Sequence, residues 1–156
     1  MKISLIKANL EDAEIVHGML IKSFMPLLEK YQDYDTSPAT EPIEKTITKI
    51  TQLNSDYYII KSGEIDVGGV RIEKMKDKHY RVSPIFILPE YQGRKIAQKV
   101  FRMLEHMYSD ANWWELDTIL QEQGNCHLYE KIGYKRTGKT KIINDKLTIV
   151  FYEKLI

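Results

Sequence analysis

Apolar residues recur along this chain at two spacings, and the switches between them mark its elements. Ile3 to Lys7 alternates weakly with a period of two, which predicts a first strand; Asn9 with Asp12 has the spacing of a capping box opening a helix. That helix carries Leu10, Ala13, Val16, Leu20, Phe24 and Leu27 at three- and four-residue steps, with Pro26 expected to kink or break it. The stretch YQDYDTSPATEP is the one long polar connection, and Thr40 with Pro42 starts a second helix bearing Ile43, Ile47 and Ile50. Three strands follow, about Tyr57 to Lys61, Asp66 to Met75 and His79 to Leu88, with turns at Ser62-Gly63 and Lys76 to Lys78. Connections this short imply an antiparallel meander. A long helix from Gln92 sets Ile96, Ala97, Val100, Phe101, Leu104, Met107 and Tyr108 on one stripe. WWELDTIL then reads as a strand, Asn125 to Lys131 as a short helix, and Tyr134 to Tyr152 as a hairpin turning at Asn144-Asp145. The predicted order is β-α-α-β-β-β-α-β-α-β-β.

Composition narrows what such a chain does. Its 156 residues fit one domain and bury roughly two-thirds of their unfolded surface. Lys and Arg number 23 against 22 Asp and Glu, so no basic field argues for a nucleic-acid partner. The single cysteine, Cys126, forms no intramolecular disulfide and belongs to no CxxC pair, which points to a reducing, cytoplasmic setting. The apolar start is too short for a signal peptide and no 18-residue apolar run occurs, so a soluble chain without a membrane partner is expected. The histidines lack metal-ligand spacing, and no metal is expected.

Chemistry concentrates in LPEYQGRKIAQKV, Leu88 to Val100, where a buried strand stopped by Pro89 passes through Gly93 into a helix. First-turn N–H groups lack intrahelical partners and point outward, so this junction suits a bound phosphate. Neither GxxxxGK nor GxGxxG occurs, and the helix follows antiparallel strands, which disfavours an unrelated α/β nucleotide-binding protein.

The element order, the hexapeptide Gln92-Gly93-Arg94-Lys95-Ile96-Ala97 and the pair Asn125 and Tyr129 in GNCHLYEKIGY together resemble the GNAT superfamily of N-acetyltransferases over essentially the whole chain. The resemblance implies an α/β fold of the α+β kind: a mixed, mostly antiparallel central sheet of about seven strands flanked by four helices, as a single domain over 1–156. It implies acetyl-CoA as cosubstrate and an N-acetyltransferase activity. The family signature reads Gln/Arg-x-x-Gly-x-Gly/Ala; Gln92 and Ala97 match it, whereas Lys95 stands where glycine is usual. A side chain there costs room if the backbone needs positive φ, yet its ammonium can pair with phosphate. The backbone amides from Gly93 to Ala97 are expected to hold the pyrophosphate, with Gln92, Arg94, Lys95 and Ile96 in the same loop; Lys99 and Arg102 read as a solvated helix face. The main chain of Phe86 and Ile87 would carry the pantetheine arm, with Pro84 upstream disturbing the ladder.

Transfer to an amine needs a neutral nucleophile and a proton for the departing thiolate. By the resemblance Tyr129 is the acid. Asn125 either binds the pantetheine arm or caps its helix. An amine with pKa near 10.4 is neutral roughly once in 10³ molecules at pH 7, so its proton must be collected. Glu73, Glu115, Asp117 and His79 are the available bases beside a water-relayed path, and Cys126 near a helix start leaves an acetyl-cysteine route conceivable. The early helices line the acceptor side in the family. Glu29, Asp33, Asp35, Glu41 and Glu44 cluster there against Lys30, with Tyr31 and Tyr34 interleaved, which favours a cation. Tyr31, Tyr34, Asp35 and, on the third strand, Glu73 are therefore the expected acceptor-binding residues, for an amine-bearing small molecule or peptide. A catalytically silent acyl-CoA-binding sensor or partner module is the alternative function, and a homodimer through the C-terminal hairpin is expected.

Overall fold

The computed structural model describes residues 2–156. Strand β1 (Ile3–Lys7) leads into a reciprocal cap: the Asn9 side chain accepts from Glu11 N at 2.9 Å, and Asp12 Oδ2 accepts from Asn9 N at 2.9 Å. Helix α1 (Ala13–Tyr31) follows a single 3₁₀ turn and runs past Pro26, so of the expected kink or break the break does not occur. Proline removes one backbone bond. Here Val16 and Leu20 before it and Leu28 and Tyr31 after it are all buried, so packing on both sides holds one helix together. Helix α1 ends where Gln32 turns left-handed at φ 55° and its N–H reaches the Leu28 carbonyl at 2.7 Å. Helix α2 (Ile43–Thr51) comes next, then β2 (Ser55–Ser62), β3 (Ile65–Lys74) and β4 (His79–Ile87) as the expected meander.

Helix α3 (Ile96–Met107) starts at the first residue of the apolar stripe, four residues after the start expected at Gln92. Gly93 and Lys95 both take left-handed backbone, φ 77° and 61°, which keeps Gln92 to Lys95 as a loop. Strand β5 (Trp113–Ile119), helix α4 (Gln123–Lys131) and the hairpin of β6 (Lys135–Ile142) and β7 (Thr148–Leu155) complete the chain.

All seven strands form one sheet in the order β1-β2-β3-β4-β5-β7-β6, antiparallel except for β4 with β5. Alternate residues of β2 feed two cores: Tyr57 and Ile59 pack with α1 and α2 on one face, Tyr58 and Ile60 with α3 and α4 on the other. Both faces of the central strands are therefore covered. No described helix is long and apolar enough to cross a membrane.

Two irregularities shape the middle of the sheet. Arg71 opposes both Ser83 and Pro84, because the register passes from Val70↔Ile85 to Ile72↔Val82. This bulge is where proline withholds a ladder donor, and the Arg71 guanidinium takes up the Ser83 carbonyl at 2.9 Å. Beyond it β4 leaves β5: parallel pairing holds for His79↔Trp113, Tyr80↔Trp114 and Arg81↔Glu115 only. From Val82 to Ile87 the strands diverge, which opens a wedge at the C-terminal ends of β4 and β5.

On the other side β4 is pressed close to β3. A Cβ on Gly68 would lie 2.1 Å from the Phe86 carbonyl oxygen. Gly68→Ala must push β4 aside, and a loss of about 1–3 kcal/mol is expected, read as a lowered Tm. An unchanged Tm would mean that the two strands are free to separate.

Candidate active site

The wedge is filled from both ends by helices, and two cavities result. The larger, about 720 Å³, lies between α1, β4, the Gln92–Lys95 loop and the start of α3. The smaller, about 380 Å³, lies between α1, the segment after it, and β4, β5 and β7. Phe24, Leu27, Ile85, Asn125 and Tyr129 line both, so the two spaces meet at the N-terminal half of α4.

In the larger cavity, Gln92, Gly93, Lys95, Ile96 and Ala97 form one wall. Among the described residues the backbone N–H groups of Gly93 to Gln98 meet no protein acceptor, and they converge at the positive end of α3. The loop is braced from below, since Gln92 Nε2 donates to the Ile87 carbonyl at 2.9 Å. Lys95 holds its left-handed backbone despite a side chain, at a local cost that glycine would avoid. Arg94 alone of the hexapeptide does not line the cavity: it lies 5.4 Å from the Tyr91 ring centre and donates to the Glu90 carbonyl at 3.3 Å. Phe86 and Ile87 form another wall, with the Phe86 side chain buried against Phe24 and its carbonyl facing Gly68.

Tyr129 stands at the junction. Its ring packs edge-on to Phe101 at 5.6 Å and against Tyr134 and Tyr152, which fixes where the hydroxyl points. The hydroxyl has no protein hydrogen-bond partner among the described residues. Burial, with the nearby Asp117 carboxylate and Cys126 adding to it, pushes the phenol well above its ordinary value. It is therefore a protonated donor with nothing to donate to. Asn125 lies in the first turn of α4, beyond the Glu122 cap, so it does not cap the helix; its side chain is exposed and borders both cavities.

The smaller cavity has a mixed wall, with Phe24, Leu27, Ile149 and Phe151 beside Thr36, Ser37 and Thr118, and its charged residues are Asp33, Arg81, Asp117 and Lys141. Arg81 and Asp117 form a close ion pair across the opening between β4 and β5. Burial raises the Asp117 carboxyl above the usual carboxylate range, Glu115 adds to the rise, and Arg81, Lys141 and Lys139 oppose it.

The four expected acceptor-binding residues do not come together here. Tyr31 is turned to α4, donating to Glu122 Oε2 at 2.5 Å beside a Lys30–Glu122 ion pair of 2.9 Å. Tyr34 and Asp35 are exposed, and Glu73 sits 3.4 Å from Arg71; none of the four lines either cavity. His79 stacks on Trp113 at 3.7 Å, and it, Glu115 and the buried Cys126 also lie outside both linings. Of the candidate bases, Asp117 lines the smaller of these two cavities, whereas Glu73 and His79 line a separate one beside Trp113. Arg81 and Lys141 escape a reading of the sequence, because only the parallel register of β4 with β5 and the β6–β7 hairpin bring them to Asp117.

A family model described as an acetyltransferase (GNAT) domain matches residues 54–136, from just before β2 to the first residues of β6, and so spans the loop, Asn125 and Tyr129. The ribosomal-protein-S18-alanine N-acetyltransferase of Escherichia coli superimposes with a TM-score of 0.79 at 7% identity, over 99% of this chain and 94% of that one. The spermidine N-acetyltransferase of Vibrio cholerae, in complex with CoA and spermine, gives 0.77 at 16% identity over 98% and 95% of the two chains. The PaiA N-acetyltransferase of Thermoplasma acidophilum, in complex with coenzyme A, gives 0.73 at 14% identity over 100% of both. Likeness at such identities is one of fold. No curated protein matches the chain in sequence.

Proposed function

Since the chain belongs to the GNAT acetyltransferase family, we propose that it moves an acetyl group from acetyl-CoA to a primary amine by direct attack where its two cavities meet. The observation that carries this reading is the placement of Tyr129, a buried phenol without a partner, on the wall common to both spaces.

The larger cavity suits coenzyme A by its donors. Unpaired amides from Gly93 to Gln98 and the Lys95 ammonium offer hydrogen bonds and positive charge to a pyrophosphate. The diverging stretch of β4, without a partner toward β5, leaves main chain for an extended amide-bearing arm, and the free side chain of Asn125 faces the same space. Acetyl-CoA supplies the thioester carbonyl. The smaller cavity admits the amine, which loses a proton to water or to Asp117 before its nitrogen bonds to that carbonyl carbon. As the carbon–sulfur bond breaks, the Tyr129 hydroxyl gives its proton to sulfur, so coenzyme A leaves as the thiol; the nitrogen gives the extra proton it carries after attack to water, and water returns one to the phenolate. A phenol suits this exchange because its ordinary pKa, near 10, lies close to that of a thiol near 8.5, and burial keeps it protonated at neutral pH. Cys126, outside both linings, has no part in it.

The test is release of free thiol from acetyl-CoA across a panel of amines, with the N-acetylated product identified by mass. Release that depends on one class of amine is expected. Calorimetric binding of acetyl-CoA with no release from any amine would overturn the transferase reading in favour of an acyl-CoA-binding module.

A further inference from the structure

Strand β6 closes the sheet at its outer edge, and every one of its residues is exposed. It reads KRTGKTKI, with four cations and no acid, in a chain whose net charge is +1. Among the described residues none of those four cations is in an ion pair. Lys139 and Lys141 stabilise the Asp117 carboxylate from a distance, but its ion pair is with Arg81. The fold leaves this strand's charge to solvent.

The pairing register sets three of the four cations on one face. Lys141 pairs with Ile149 and Lys135 with Glu153, and the Lys139 ammonium lies 4.6 Å from the Phe151 ring centre; alternate residues of a strand share a face. Arg136 turns to the other face, 5.9 Å from the Tyr152 ring centre. Ile149, Phe151 and Lys141 line the smaller cavity. The row Lys141, Lys139, Lys135 therefore begins in the wall of that cavity and runs outward along an extended stretch of about six residues. On the same face Glu153 stands opposite Lys135, and the β5 carboxylates Glu115 and Asp117 are taken up by Arg81. The free charge is thus at Lys139 and Lys141. Lysines also guard an edge strand against pairing with another sheet, but that role is served from either face and asks for no alignment with a cavity.

We infer that the acceptor amine belongs to an acidic polypeptide segment: the amine enters the smaller cavity, and the carboxylates that follow it lie along β6 against Lys141 and Lys139. This acceptor class presupposes the acetyltransferase reading. A polynucleotide would also be drawn to a cationic strand, but it brings no aliphatic amine to the cavity. Exposed charges at a rim act through encounter and salt-sensitive binding, so the effect falls on KM rather than on kcat.

The probes are three hexapeptide amides with a free N-terminus, in which Ala alternates with Glu, with Gln or with Lys, and a poly-dT oligonucleotide. Thiol release from acetyl-CoA measures transfer, and calorimetry on the CoA-loaded protein measures binding, for wild type and for the double variant Lys139→Glu/Lys141→Glu. Wild type is expected to favour the Glu peptide over the Gln peptide by about tenfold in kcat/KM at low salt, with the Lys peptide poorest and the preference shrinking as salt is raised. The double variant is expected to lose or reverse that preference. Its two side chains are exposed in the wild type, so its Tm should hold. Equal kcat/KM for the Glu and Gln peptides, a preference that survives in the double variant, or tighter binding of the oligonucleotide than of the Glu peptide would overturn the acidic-segment acceptor. Binding of the Glu peptide that depends on Lys139 and Lys141 without thiol release would support this surface and count against the transferase reading alone. Thiol release from other amines with no preference among the peptides would do the opposite.

Discussion

Tyr129→Phe is expected to lower kcat by about 10²–10⁴-fold, roughly 3–5 kcal/mol of barrier, with the Kd for acetyl-CoA nearly unchanged. The ring packs against Phe101, Tyr134 and Tyr152, and phenylalanine keeps all three contacts. Only the hydroxyl is lost, and in the free protein it has no partner, so stability should hold or rise slightly. The pH dependence carries a second signature. Burial raises the folded-state pKa of the phenol, so the acid stays protonated through the ordinary tyrosine range. Wild-type kcat should therefore climb with pH as the amine loses its proton, with no descending limb below about pH 10. A drop of less than threefold in the variant, with chemistry rate-limiting, would move the proton to water or another group.

Gly93→Asp is expected to weaken acetyl-CoA binding about 10- to 100-fold, or roughly 1.4–2.8 kcal/mol. Crowding is not the cause, because a Cβ at Gly93 meets nothing within 4 Å. The cause is charge: a carboxylate beside the unpaired amides of the loop repels a pyrophosphate and competes for the same donors. The φ of 77° adds a backbone cost that falls on stability rather than affinity. Gly93→Asn has nearly the same shape and tolerates left-handed backbone, so calorimetry should find its affinity within a few-fold of wild type. Equal affinity in all three proteins would place the phosphates elsewhere.

Much of this architecture is written in local pattern. Ile3 to Lys7, the Asn9 and Asp12 cap and the meander from β2 to β4 follow from alternation and turn residues, and each forms where the pattern puts it. The departures are tertiary. Pro26 sits inside an unbroken helix because buried residues flank it, and α3 starts at Ile96 because two left-handed residues precede it. On the cofactor side the candidate residues are neighbours in sequence, so one hexapeptide and one short helix name most of the wall. The acceptor side is assembled from α1, β4, β5 and β7, and spacing along the chain says nothing of which charges meet. The acidic stretch after α1 drew notice to Tyr31, Tyr34 and Asp35. Of that stretch it is Asp33 that faces the cavity, because the left-handed turn at Gln32 folds the following residues back over β4 and β5.

The central claim is that donor and acceptor meet directly across Tyr129. Initial rates with acetyl-CoA and the amine varied together test it most directly. Transfer in a ternary complex predicts double-reciprocal lines that intersect, with Cys126→Ala leaving the pattern and kcat essentially unchanged. Parallel lines, with an acetyl group trapped on the protein when acetyl-CoA is supplied alone, would show a covalent two-step route and contradict the account.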